Sequence, residues 1–174
     1  MTTQIIREVQ ASEHIIKDVK LLFYDITSQA IFVDEDTDDV KFDISASSSN
    51  RTPTTIDIDI PKSRSLGKFV FKILAYDLTL FLHAVHARRN LPKFLFHDGV
   101  FHGVGQKTVI NVLNYLYRET IQYEFQYIIT LNEHEMYIPS EKESVLGKLQ
   151  FGIEDRTIAT FSDSAKEMFF KRDF

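Results

Sequence analysis

The 174-residue chain has no cysteine and no tryptophan, and only six glycines and four prolines. Without cysteine there is no disulfide, no thiolate metal site and no cysteine nucleophile, and a reducing, cytoplasmic setting is the expectation. No run of about 18 consecutive apolar residues is present, so no membrane span is expected. The first residues, MTTQIIREVQ, are charged and periodic and lack the apolar core of a signal peptide. Positive charge is not in excess: the net charge is −5, which excludes a bulk electrostatic pull toward nucleic acid. Two small basic clusters remain, Lys62 with Arg64 and Lys68, and Arg88 with Arg89, whose ordinary reading is solvated surface. No GxSxG elbow occurs, so acyl transfer has no support.

What is present is apolar. Hydrophobic residues make up 44% of the chain and aromatics 13%, enough for one domain with a real core, or one domain plus a protruding helix. Ile5, Val9, Ser12, Ile16, Val19, Phe23 and Ile26 alternate spacings of four and three, a heptad seam widened by Ile6, Ile15 and Leu22. Such a seam serves either an amphipathic helix packed on its own domain or the base of a coiled-coil arm. After Ile31-Phe32-Val33 comes an acidic run, residues 34–39, without the glycine and distal glutamate of a calcium loop; a solvated turn is expected. Val40, Phe42 and Ile44, then Ile56, Ile58 and Ile60, alternate with polar residues across the loop SASSSNRTPT. This predicts an antiparallel hairpin.

Phe69 to Ala87 is almost continuously apolar without Gly or Pro, which predicts a largely buried helix. Phe94-Leu95-Phe96-His97 reads as a buried central strand, followed by a loop with Gly99, Gly103 and Gly105. A helix with an apolar face from Val109 to Tyr117 and a second strand, Phe125 to Thr130, complete a right-handed parallel crossover. The tail adds an alternating pair, Leu149-Phe151-Ile153 and Ile158-Thr160, around a turn at Glu154-Asp155-Arg156. A short amphipathic segment runs from Ala165 to Phe170. The expected fold is α/β, a mixed sheet with flanking helices: residues 1–30 form an N-terminal helix and residues 31–174 the α/β domain.

The order of these parts carries the functional information. Ser63-Arg64-Ser65-Leu66-Gly67-Lys68 opens the long helix, a strand ends in Asp98, a glycine-rich loop and a helix follow, and a second strand ends in Thr130-Leu131-Asn132. Over roughly residues 56–135 this order resembles the C-terminal half of an ABC-type head of SMC-like ATPases. More closely, FLFHDGVFHGVGQKT with FQYIITLNEHE resembles a bacterial family of unknown function found at the C-terminal ends of YydD-like, SMC-related proteins. The resemblance tips the N-terminal helix toward a coiled-coil arm. It implies that Ser65 and Gly67 stand in a signature loop that contacts a nucleotide held by a partner, through a hydroxyl and backbone N–H groups at a helix start. It implies that Asp98 orients magnesium, and that Asn132 stands where a switch histidine would be, able to hydrogen-bond phosphate but not to act as a base.

The match is partial. Leu66 and Lys68 depart from the signature pattern, Gly99 stands in place of the catalytic glutamate, and Gly105 in place of a D-loop aspartate. Glycine can neither orient the attacking water nor accept its proton. A phosphate-binding loop is missing too: Gly103-Val104-Gly105-Gln106-Lys107-Thr108 has Lys-Thr, but Gln106 and Phe101 stand where glycines are required. The chain is therefore expected not to hydrolyse ATP alone. ATP and Mg2+ would bind only in a composite complex, a homodimer or a hetero-complex with a Walker A-bearing half-head. DNA would be met only through a larger assembly, and the resemblance implies repair or defence against mobile DNA.

Two other classes remain open. One is an interaction or oligomerisation module with no nucleotide role. The other is a metal-dependent phosphohydrolase or nuclease using His97, Asp98 and His102, three ligands that one loop could bring together. In phosphohydrolases named for the His-Asp dipeptide it lies on helices; here it ends a strand. His83 and His86 lie one turn apart on an apolar helix, the ordinary place of core or interface histidines. The fifteen Phe and seven Tyr are spread through the elements as core packing would have them.

Overall fold

The computed structural model describes residues 2–33, 37–47, 54–60, 66–132 and 146–161, with side chains from residue 6 onward and, in the third helix, from residue 69 onward. It is a mixed α/β structure with two separate two-stranded sheets, in place of the single mixed sheet expected.

Helices α1 (Thr2–Ala11) and α2 (Glu13–Ile26) follow one another across Ser12, whose φ of −98° and ψ of 9° interrupt the helical path. The heptad seam is put to use inside the domain: Val19, Phe23 and Ile26 are buried in the core, and Phe23 lies 4.8 Å, ring to ring, from Phe42. A π-helical turn, Thr27–Ile31, extends α2. Its wide loop is closed by Phe32 N–H donating to the Thr27 carbonyl at 2.7 Å. The buried Thr27 hydroxyl donates to the Phe23 carbonyl at 2.9 Å, so no polar atom is stranded where Ala30 and Ile31 enter the core.

Strands β1 (Lys41–Ala46) and β2 (Thr54–Asp59) form the expected antiparallel hairpin, with Phe42 opposite Ile58 and Ile44 opposite Ile56. The other face sets Asp43 opposite Asp57, a repulsive pair that two lysines relieve: Lys20 reaches Asp43 at 2.6 Å and Lys41 reaches Asp57 at 2.5 Å. The hydrogen bond from Lys20 holds the Asp43 carboxyl below its ordinary value. The hairpin tip and residues 34–36 of the acidic run lie outside the described residues.

Helix α3 (Leu66–His86) corrects an expectation. Leu74, Ala75, Leu78, Thr79 and Leu82 are fully buried, but Phe69 is 61% exposed and Ile73 and Leu80 about two-fifths exposed. At 100° per residue, Phe69, Ile73 and Leu80 fall on one narrow outward arc, while Tyr76 on the same side is partly buried against the core. The helix is long and apolar enough to cross a membrane by length and composition. In this fold its inner face is part of the domain core, beside α2.

Strands β3 (Phe94–His97) and β4 (Gln126–Ile129) pair in parallel around α4 (Gln106–Gln122), as expected for a crossover. Their burial differs from the expectation. Leu95, Tyr127 and Ile129 pack against the core and His97 is buried, while Phe94 and Phe96 are 55% and 53% exposed beside Gln126 and Ile128. A parallel sheet is ordinarily covered on both faces. Here one apolar face is open.

The expected tail strands do not form among the described residues. Glu154–Arg156 is a 3-10 turn, as the turn reading had it, but its flanks make no ladder. The physical reason is where the segment runs. It crosses helix α4, which cannot offer a strand edge, and a side chain supplies the pairing: Asn114 Nδ2 donates to the Lys148 carbonyl at 2.9 Å, and Gln150 N–H donates to Asn114 Oδ1 at 2.8 Å. Phe151 stacks on Tyr117 with centroids 5.2 Å apart. Ile158, expected in a strand, is exposed. The amphipathic segment from Ala165 to Phe170 lies outside the described residues.

Candidate functional site at the carboxyl ends of the parallel strands

In a crossover unit both parallel strands point their carboxyl ends the same way, and ligands of such folds gather there. Here those ends are joined by one side chain. Thr130 N–H donates to the His97 carbonyl at 3.2 Å, its hydroxyl donates to Asp98 Oδ1 at 2.5 Å, and the Thr130 hydroxyl oxygen in turn accepts from Gly99 N–H at 2.8 Å. Asp98 and Thr130 are both exposed, so this carboxylate faces solvent with one oxygen oriented. Gly99 has φ +61°, a conformation that disfavours a glutamate at that position. The turn after β3 therefore favours glycine at this position.

Beneath this surface lies a hydrogen-bonded chain. His97 Nδ1 meets the Tyr127 hydroxyl at 2.8 Å and Nε2 meets Asp77 Oδ2 at 3.2 Å. Burial, then the Asp77 charge, pushes the Tyr127 phenol far above its ordinary value, so it stays a neutral hydroxyl. The chain ties α3 to both strands directly below Asp98. Sequence reasoning passed over Asp77, Tyr127 and Thr130. One signal was available for Asp77: it is the sole acidic residue between Phe69 and Ala87, and such a charge in an apolar helix needs a partner.

The other expected residues are placed unevenly. Asn132 is exposed just beyond β4. Gly67 lies in the first turn of α3, and Ser65 falls outside the described residues. The three-ligand metal reading is corrected. Both ring nitrogens of His97 are engaged below the sheet, and among the described residues no three His, Asp or Glu side chains gather for a metal. His83 and His86 are interface residues. His86 Nε2 meets Glu119 Oε2 at 2.6 Å and its ring lies 4.2 Å from that of Tyr123, while burial holds His83 below its ordinary value. The glycine loop before α4 folds on itself through His102 N–H to the Gly99 carbonyl and Val104 N–H to the Phe101 carbonyl, with Phe101 fully buried as its anchor.

Residues 27–174 match the family described as "Uncharacterised protein conserved in bacteria (DUF2326)". The chain belongs to this family. A relative, "Uncharacterized protein YydD" of Bacillus subtilis (strain 168), is 27% identical over 159 residues, which cover 86% of this chain and 27% of the relative. The chain thus spans little more than a quarter of that protein's length. A solved chain from work on ATP-driven dimerization and DNA-stimulated activation of SMC ATPases is 15% identical, with a TM-score of 0.45 over 74% of this chain and 73% of that one. For this member of the family, Asp98 is a single exposed carboxylate.

Proposed function

We propose that this chain is a degenerate C-terminal part of an SMC-like ATPase head, completed by a Walker A-bearing half-head supplied from outside it. Helix α1 serves as the base of its arm, while α2 and the π-helical turn pack into the core of the head domain together with residues 31–174. The observation that carries the reading is the parallel β3–α4–β4 unit, with Phe94 and Phe96 exposed on one face and Asp98 at its carboxyl end. A partner that covered this face would remove two aromatic rings from water, each worth on the order of 1 kcal/mol for its exposed half. In the assembled site Asp98 orients Mg2+, Asn132 hydrogen-bonds phosphate, and Ser65 with Gly67 reach a nucleotide held by the partner. Gly99 leaves the site without its base, so binding and assembly, not hydrolysis, are its output.

The test is association measured by analytical ultracentrifugation with a Walker A-bearing half-head from the same genome. Wild-type chain enters a complex stabilised by MgATP, and Phe96→Ser weakens that association about fivefold. If Phe96→Ser assembles as wild type does, the reading fails. A second reading, an interaction module without a nucleotide, is favoured by the outward arc of α3, which needs a partner whatever happens at Asp98. It predicts that Asp98→Ala assembles normally and that MgATP has no effect.

A further inference from the structure

The end of α3 departs from what its geometry prefers. Arg89 N–H donates to the Ala84 carbonyl at 2.9 Å and Arg88 N–H to the Val85 carbonyl at 3.0 Å, the two bonds of a Schellman cap. In that cap the first residue past the helix is left-handed and is usually glycine, and the next usually makes an apolar contact. Both positions are arginine here. Arg88 has φ +49°, the sole non-glycine residue at positive φ among the described residues. Backbone strain kept by a charged, solvent-facing side chain points to a use for that side chain.

The surroundings narrow the use. Residues 87–94 are all exposed, so the tip is convex. Neither guanidinium has a carboxylate partner among the described residues, while Lys93 is paired with Glu124 at 3.2 Å. A convex pair of planar, donor-only groups suits successive phosphates of an extended polyanion, since an isolated phosphate needs a concave cradle. A bilayer surface would call for a cluster of about four to eight cations or an apolar helix face. The tip offers two cations without a carboxylate partner among the described residues, and one exposed aliphatic, Leu91.

We propose that Arg88 and Arg89 form a tip that grips the phosphate backbone of duplex nucleic acid without reading its sequence. With two phosphate contacts, log K against log salt has a slope of about −2, and each lost arginine removes about 1 from it.

The experiment titrates the full chain against a fluorescent DNA duplex by anisotropy across a salt series, with phosphatidylserine vesicles and inorganic phosphate as parallel probes. Wild type binds the duplex weakly, with Kd on the order of 10−4 M at low salt. Arg88→Gly and Arg89→Ala each halve the slope. The glycine variant also separates function from structure: in high salt, where the helix dipole is screened, its Tm rises by about 1–4 °C as the strain is released. Three results would overturn the proposal: no duplex binding by wild type, binding that both variants retain, or binding to vesicles without binding to duplex. A fall in the Tm of Arg88→Gly in high salt would remove its premise.

Discussion

Asn114→Ala tests how the tail is held. Asn114 is buried on α4, and its amide makes two hydrogen bonds to the backbone at Lys148 and Gln150. A net contribution of 0.5–1.5 kcal/mol for each bond gives a loss of about 1–3 kcal/mol. For a chain of this size that lowers Tm by roughly 3–10 °C. The loss is also local. Once unclipped, residues 148–157 lift from α4, Phe151 leaves Tyr117, and trypsin gains access at Lys148 and Arg156. Thermal denaturation followed by circular dichroism gives the first quantity, and limited proteolysis with mass analysis the second. Asn114→Asp keeps the acceptor for Gln150 but sets a buried carboxylate oxygen against the Lys148 carbonyl, so its Tm falls at least as far as that of Asn114→Ala. If Asn114→Ala melts within about 1 °C of wild type and is cut at the wild-type rate, the clip is not what secures the tail.

Other perturbations probe the rest of the fold. Tyr115 donates to Asp25 Oδ2 at 2.7 Å, and Tyr115→Phe should cost about 1 kcal/mol, read by urea unfolding. Because the folded Asp43 carboxyl titrates below its ordinary value of 3.8, its pairing with Lys20 stabilises above that pH and fades as pH falls through the folded value. Lys20→Met should therefore flatten stability below about pH 4, by well under 1 kcal/mol because both groups are partly exposed. The folded His83 resists protonation below its ordinary value of 6.5, so unfolding takes up a proton and stability falls as pH drops below 6.5. His83→Gln should reduce that fall, as seen in Tm measured from pH 7 to 5.

The sequence made the local elements legible where periodicity and turn chemistry agreed. Alternation at Val40–Ile44 and Ile56–Ile60 marked the hairpin, and two apolar runs around a helical pattern marked the parallel crossover. What it could not carry was the identity of the covering surface. Phe94-Leu95-Phe96 reads the same whether its own chain or a partner covers the outward rings, so β3 was expected to be buried on both faces. Alternation failed differently in the tail: Leu149 and Phe151 alternate because they pack on α4, with Asn114 replacing the ladder. At the candidate site, Asp98 was found by its place at a strand end. Thr130, Asp77 and Tyr127 were not, because residues 20–32 positions apart meet only in the folded chain.

Whether Asp98 serves a composite nucleotide site that lacks a base is decided by titrating a fluorescent ATP analogue with Mg2+ into the assembled complex. The expected result is binding that Asp98→Ala weakens at least tenfold, with no phosphate release above background. Equal binding by wild type and Asp98→Ala, or steady hydrolysis by a complex whose partner supplies no glutamate, would contradict it.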